Sequence, residues 1–159
     1  MSVSKPLSGI KVAVLVANGF EEADMTATQR ALAAAGAYVR IISSEAGLVN
    51  SWTGENWGHH FAIDVQLNTA LGADYSMLVI PDGTRSLDKL KLTAHTKRFI
   101  GGFMAASKPV AVWDGAKQVM AHVGADMDAG NVITGQGADF AAEMVSFFAA
   151  PLVAVKQAA

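Results

Sequence analysis

The residues through which this 159-residue chain could do chemistry are carboxylates, because it contains no cysteine. Thiolate catalysis, thiolate metal sites and disulfides are excluded together. Among the acids Asp114 stands out. The apolar run Val110-Ala111-Val112-Trp113 follows Lys108-Pro109, and Asp114-Gly115-Ala116 then breaks it before Lys117-Gln118-Val119-Met120, so the spacing predicts strand, sharp turn, helix. Such a turn lifts one side chain above the carboxyl end of an α/β sheet and surrounds it with backbone N–H groups. A carboxylate placed there is a candidate nucleophile, provided a partner supplies the base for the second half of the reaction. A second acidic group, Glu21, Glu22 and Asp24, opens the first predicted helix, where acids also simply offset the macrodipole. If Asp24 meets Asp114 in a buried setting, one of the two should have a raised pKa.

Other chemistries find less support. The adjacent pair His59-His60 lacks a third ligand at a recognisable spacing, and His95 and His122 fall in helical stretches, so no metal is expected. The turn Ala17-Asn18-Gly19-Phe20 has neither the glycine pattern nor the hydroxyls of a phosphate-binding loop, so no nucleotide, flavin or other cofactor is expected.

The elements that must position these residues alternate along the chain. Ile10 to Ala17 is a nearly continuous β-branched run, as in a strand buried on both faces of a parallel sheet. Glu21 to Ala35 carries apolar residues at helical spacing and ends at Gly36, and Tyr38 to Ser43 is a second strand, completing a βαβ unit whose crossover should be right-handed. From Glu45 to His60 glycines, asparagines, Trp52 and Trp57 suggest a hairpin excursion, the tryptophans either covering the core locally or forming part of a dimer interface. Phe61 to Asp64 is a possible short strand and Ser76 to Ile80 a buried one, ended by Pro81-Asp82-Gly83; Ser86 to Ala106 reads as a helical region weakened by Gly101-Gly102. After the turn at Asp114 come a short helix through Val123, a strand at Val132 to Thr134 and an amphipathic helix from Ala138 to Ala150. This order predicts a three-layer α/β/α sandwich with a mainly parallel, flavodoxin-like sheet in a single domain over residues 1–159, residues 1–8 being a flexible lead.

Composition bounds the partners. A net charge of −2, a pI near 6.0 and scattered lysines and arginines give no footprint for nucleic acid. The longest apolar run, Phe147 to Val155, contains Pro151 and is too short to span a bilayer, so no membrane association is expected. Met1 to Ser8 shows no apolar signal core, which makes the cytoplasm the expected location.

Three stretches together resemble the ThiJ/PfpI superfamily, which shares its fold with class I glutamine amidotransferases. Lys11 through Asp24 is similar to the family's first strand and acidic helix start. Ala73-Asp74-Tyr75-Ser76-Met77-Leu78-Val79-Ile80-Pro81-Asp82-Gly83 is similar to its D-Y-D-x-L-x-x-P-G-G, and Lys108-Pro109-Val110-Ala111 to the K-P-V-A that leads into its A-I-C-H-G elbow. The departures fall on the chemistry. Aligned without a gap, the family's elbow cysteine falls on Asp114, its histidine on Gly115 and its glycine on Ala116, while Asp82 stands where the family has the first glycine of a turn that shapes an oxyanion pocket. A carboxylate there opposes developing negative charge. The family's acid beside the cysteine aligns with Asp24 in one branch and with Glu22 or Glu21 in another. Between Gly124 and Asn131 the chain is also short by about two elements, so the sheet should be trimmed after the elbow. In these respects the sequence is similar to the C-terminal domain of large-subunit catalases, which also lacks the cysteine.

The resemblance therefore implies a cysteine-less homodimer, acting by binding or assembly in a stress-related role, with a small-molecule ligand at the elbow lined by Asp82, Gly83, Trp113 and Gly115. The rival expectation is a small-substrate hydrolase or lyase in which Asp114 works with Asp24 or Glu22, in keeping with the protease and hydrolase activities of the family. A receiver-like phospho-acceptor is disfavoured, since Lys108-Pro109 precedes its strand instead of following it.

Overall fold

The computed structural model describes residues 5–158. In chain order its elements are β1 (Lys11–Val16), β2 (Phe20–Glu21), α1 (Glu22–Ala34), β3 (Tyr38–Ser43), β4 (Leu48–Trp52), β5 (Trp57–Ala62), β6 (Val65–Gln66), β7 (Met77–Ile80), α2 (Thr84–Leu90), α3 (Ala94–Ala105), β8 (Val110–Trp113), α4 (Lys117–His122), β9 (Val132–Gly135) and α5 (Ala138–Ala158). Six strands form the main sheet in the order β6-β3-β1-β7-β8-β9, and every pairing in it is parallel. The chain starts at the centre with β1, moves outward to β3 and β6, then returns to β7 and moves outward on the other side. Strand order therefore reverses between β1 and β7, and the loops leaving those two strands diverge to open a crevice.

The β1 sequence shows why the sheet is buried on both faces. Ala13, Leu15 and Ala17 enter a core with Leu87, Leu90, Phe99, Ile100, Phe103, Val119 and Met120 from α2, α3 and α4. Val12, Val14 and Val16 point the other way, to Met25 and Leu32 of α1 and Phe140, Met144 and Phe148 of α5. The period-2 alternation of a strand thus feeds two helical layers. Each fully buried Leu or Phe contributes about 1.5–3 kcal/mol through removal of apolar surface from water, so these layers hold the strand ends in place. The flavodoxin-like α/β class expected from the sequence is the fold observed.

Three local differences have physical causes. The helical region from Ser86 to Ala106 is two helices, because Thr93 caps the second: its Oγ1 accepts the His95 N–H at 3.2 Å. The tryptophan-containing excursion is a hairpin of β4 and β5 that joins β2 in a second, three-stranded sheet, and Phe61 and Ala62 close that hairpin while β6 begins at Val65. In the expected lead, residues 1–4 lie outside the described residues. Leu7 is fully buried and its N–H donates to the Ala35 carbonyl at 2.9 Å, tying the segment before β1 to the end of α1. Among the described residues no helix is long and apolar enough to cross a membrane.

Candidate functional site

At the carboxyl end of β8, Asp114, Gly115 and Ala116 form a single 3-10 turn that leads directly into α4. The elbow is therefore built as a strand–turn–helix. Trp113, the last strand residue, turns inward and is 2% exposed, its ring edge-on to Phe140 at 4.8 Å. Its indole N–H has no hydrogen-bond partner among the described residues. Asp114 turns outward; its Oδ1 lies 3.3 Å from Nζ of Lys117, one helical turn on, and both side chains are about half exposed. That exposed ion pair adds little stability and leaves Asp114 accessible.

The neighbouring loop after β7 reaches over this turn. Asp82 accounts for the unusual Gly115: a Cβ built at Gly115 would collide with the Asp82 carboxylate. The two departures from the family's pattern are thus one feature, a larger residue in the β7 loop and a smaller one at the elbow. Asp82 Oδ1 accepts the Gly83 N–H at 2.6 Å, and the Asp82 N–H in turn donates to Asp24 Oδ2 at 3.0 Å. Both of these β7-loop donors are spent, one on Asp24 of α1 and one within the loop. Gly83 itself sits at φ 126°, and a Cβ there would come within 2.5 Å of the Gly19 carbonyl oxygen, so this position requires glycine.

Asp24 projects from the first turn of α1 toward that loop. Its pKa is raised to about 6, by burial first, with the Asp82 N–H opposing the rise and the charges of Asp82 and Glu21 adding to it. Glu21, at the entry to α1, is raised by burial first and by Asp82 second. The acids that press on Asp24 are therefore Asp82 and Glu21. The structure brings Asp24 to Asp82, and Asp114 to Lys117.

Glu22 serves another neighbourhood. Its Oε1 accepts the Ser51 hydroxyl at 2.7 Å and the His59 N–H at 2.7 Å, and lies 2.9 Å from His59 Nδ1. These donors, the Ser51 hydroxyl foremost, hold its pKa below the usual range. Glu22 thus staples α1 to the β4–β5 hairpin. Ser51 and His59 show no sequence signal for this, since the pairing depends on how the hairpin folds back.

The crevice between β1 and β7 is an open cleft of about 260 Å³, walled by Gly19, Glu21, Trp52, Gly83, Thr84 and Arg85. Gly83 is the one expected lining residue found on its wall. Arg85 carries its guanidinium 4.6 Å from the Trp52 ring centre and 5.7 Å from that of Trp57, and the two indoles meet edge-to-face at 5.2 Å. Among the described residues no group of three or more His, Asp or Glu side chains is arranged to hold a metal ion.

A six-stranded parallel sheet between helical layers, with a strand–turn–helix elbow beside an acid-bearing first helix, defines a flavodoxin-like α/β protein. The DJ-1/PfpI family model matches residues 10–127, and the chain belongs to that family. No curated protein matches it. Solved structures share the fold: a two-domain protein from Anabaena variabilis with DJ-1/ThiJ/PfpI-like and ferritin-like domains is 22% identical with a TM-score of 0.76, and the match covers 90% of this chain and 48% of that one. This chain thus spans about half of that protein. A mutant of a DJ-1 superfamily protein from Salmonella typhimurium is 23% identical with a TM-score of 0.74, covering 91% of each chain. Drosophila melanogaster DJ-1beta is 18% identical at the same TM-score, covering 88% of each.

Proposed function

We propose that this chain is a DJ-1/PfpI family member that has left the family's cysteine chemistry and acts by binding or assembly, as a cytoplasmic homodimer with a stress-related role. One observation carries the reading. The two N–H groups of the β7 loop point at Asp24 and at Asp82's own carboxylate, so the place where a developing oxyanion would need donors is filled by a negative charge. The exposed apolar side chains Tyr38, Leu48 and Trp57 supply surface for assembly, and sedimentation of the purified chain should show a dimer.

A second reading has its own support. Asp24, with a pKa of about 6, is suited to general acid–base work near neutral pH, which with Asp114 or Glu22 would make a small-substrate hydrolase or lyase. Peptidase, esterase and glyoxalase substrates offered to the wild type, Asp114→Ala and Asp24→Asn separate the two. Equal background rates in all three are the expected result. Turnover by the wild type that disappears in either variant would replace the binding reading with the catalytic one.

A further inference from the structure

The backbone N–H groups of the loop leaving β1 are largely committed within the fold. The Ala17 N–H donates to Ser86 Oγ at 2.9 Å, the Asn18 N–H to Glu45 Oε2 at 2.9 Å, the Gly19 N–H to the Asn50 carbonyl at 2.8 Å and the Glu21 N–H to the Asp82 carbonyl at 2.9 Å. The Asp82 and Gly83 N–H groups are also spent, which leaves the first-turn amides of α2 as the backbone donors at this cleft.

Arg85 is the exception at this cleft. None of the ion pairs among the described residues includes it. By contrast, Arg98 commits its guanidinium to the Ala70 and Leu67 carbonyls at 2.7 and 2.8 Å. Cation–π contact with Trp52, and at longer range with Trp57, holds the Arg85 guanidinium at the cleft without consuming its N–H donors. Its stem packs tightly over Gly19, where a Cβ would collide with it. The result is a planar fork of donors at the mouth of a cleft where α/β sheets bind ligands.

We infer that this cleft binds a small organic carboxylate, held in bidentate fashion by Arg85 on the Trp52–Trp57 shelf, with Glu21 and Thr84 facing the ligand's hydroxyl or amino group. This rests on the binding reading above and names the ligand class for the same end of the sheet. Monoanionic charge follows from the surroundings: Glu21 lines the cleft, and Asp82 and Asp24 lie behind it, which disfavours a phosphate dianion. Small size follows from the volume of about 260 Å³, below the range of roughly 300–1,000 Å³ that takes drug-sized ligands.

Because Trp52 lines the cleft and Trp57 packs against Trp52, the test is titration of the purified full chain, followed by tryptophan fluorescence and calorimetry. The probes are glycolate, glycine and benzoate, with glycolamide and inorganic phosphate as controls. At least one carboxylate should bind saturably, while glycolamide and phosphate do not. Arg85→Ala should abolish that binding and Arg85→Lys weaken it about tenfold or more, since the paired fork becomes a point charge. Far-UV circular dichroism of both variants should match the wild type, because the Arg85 side chain is exposed and replaceable without loss of the fold. No saturable carboxylate signal, equal binding in Arg85→Ala, or equal binding of phosphate would each overturn the assignment. A substrate turned over by the wild type and lost in Asp114→Ala would instead sink the binding reading, and Arg85→Ala leaves that outcome readable because Asp114 and Asp24 are intact.

Discussion

Two neighbouring sites at the carboxyl edge of one sheet have been treated in opposite ways. Over the elbow, Asp82 occupies the space that a side chain at Gly115 would need and takes up the Gly83 N–H. One loop away, Arg85 lies against two indoles with no ion pair or hydrogen bond to its guanidinium among the described residues, beside an open cleft. The first site is closed by its own side chains, and the second has hydrogen-bonding capacity to spare. An elbow kept by the fold is thus not the same as a site kept for chemistry: the strand–turn–helix is demanded by the packing of β8 and α4, whereas catalysis would also need free donors above it.

Steric interlock at the elbow should give the largest effect. Gly115→Ala places a Cβ against the Asp82 carboxylate and should cost about 1–3 kcal/mol in urea unfolding. Adding Asp82→Gly should recover most of that loss, so the pair is strongly non-additive. Strict additivity would mean that the elbow is not closed by Asp82 and that the contrast between the two sites is wrong.

Asp24 and Glu22, two residues apart on α1, should show opposite pH linkage. The folded-state pKa of Asp24 is raised from 3.8 to about 6, so the folded protein holds the extra proton between those values. Its stabilising contribution is full below the lower value and is lost as the pH rises through the upper one. Two pKa units correspond to about 3 kcal/mol, reduced by solvent access to the half-buried group to about 1–2 kcal/mol. Asp24→Asn should therefore be relatively more stable at about pH 7.5 than at about pH 4.5 when each is compared with wild type. An unchanged difference would show that Asp24 is not held in the crowded setting described.

The smallest effect belongs to Glu22. Its lowered pKa means that its contribution is full above its ordinary value of 4.5 and disappears as the pH falls through the lower folded value. Glu22→Gln keeps an acceptor but loses the charge, so about 1 kcal/mol should be lost at neutral pH and the acid-side slope should flatten. Amide hydrogen exchange should locate the loosening in β4 and β5, because Ser51 and His59 are the donors. Loosening at the β7 loop instead would join the two sites that the structure keeps apart.

Much of this was legible in the residues. The β-branched run at β1, the apolar stretches at β7 and β8 and the Asp114 turn follow from local patterning, because burial on both faces leaves few alternatives for such segments. Thr93 before a helical stripe is a local capping signal for the break between α2 and α3. The long-range pairings were not legible. Ser51 and His59 reach Glu22 only because β4 pairs with β2, and Arg85 meets Trp52 across 33 positions of sequence.

By itself the sequence determined the α/β class, the place of the elbow and the absence of thiol chemistry, since these depend on composition and on periodicity within single elements. Only the tertiary structure decided that Asp82 closes the elbow over Gly115, that Asp24 faces Asp82 and Asp114 faces Lys117, and that Arg85 remains unpaired on its aromatic shelf. Those outcomes depend on the directions in which side chains leave separate strand ends. Directions of that kind are set by the twist and order of the whole sheet and have no local signature.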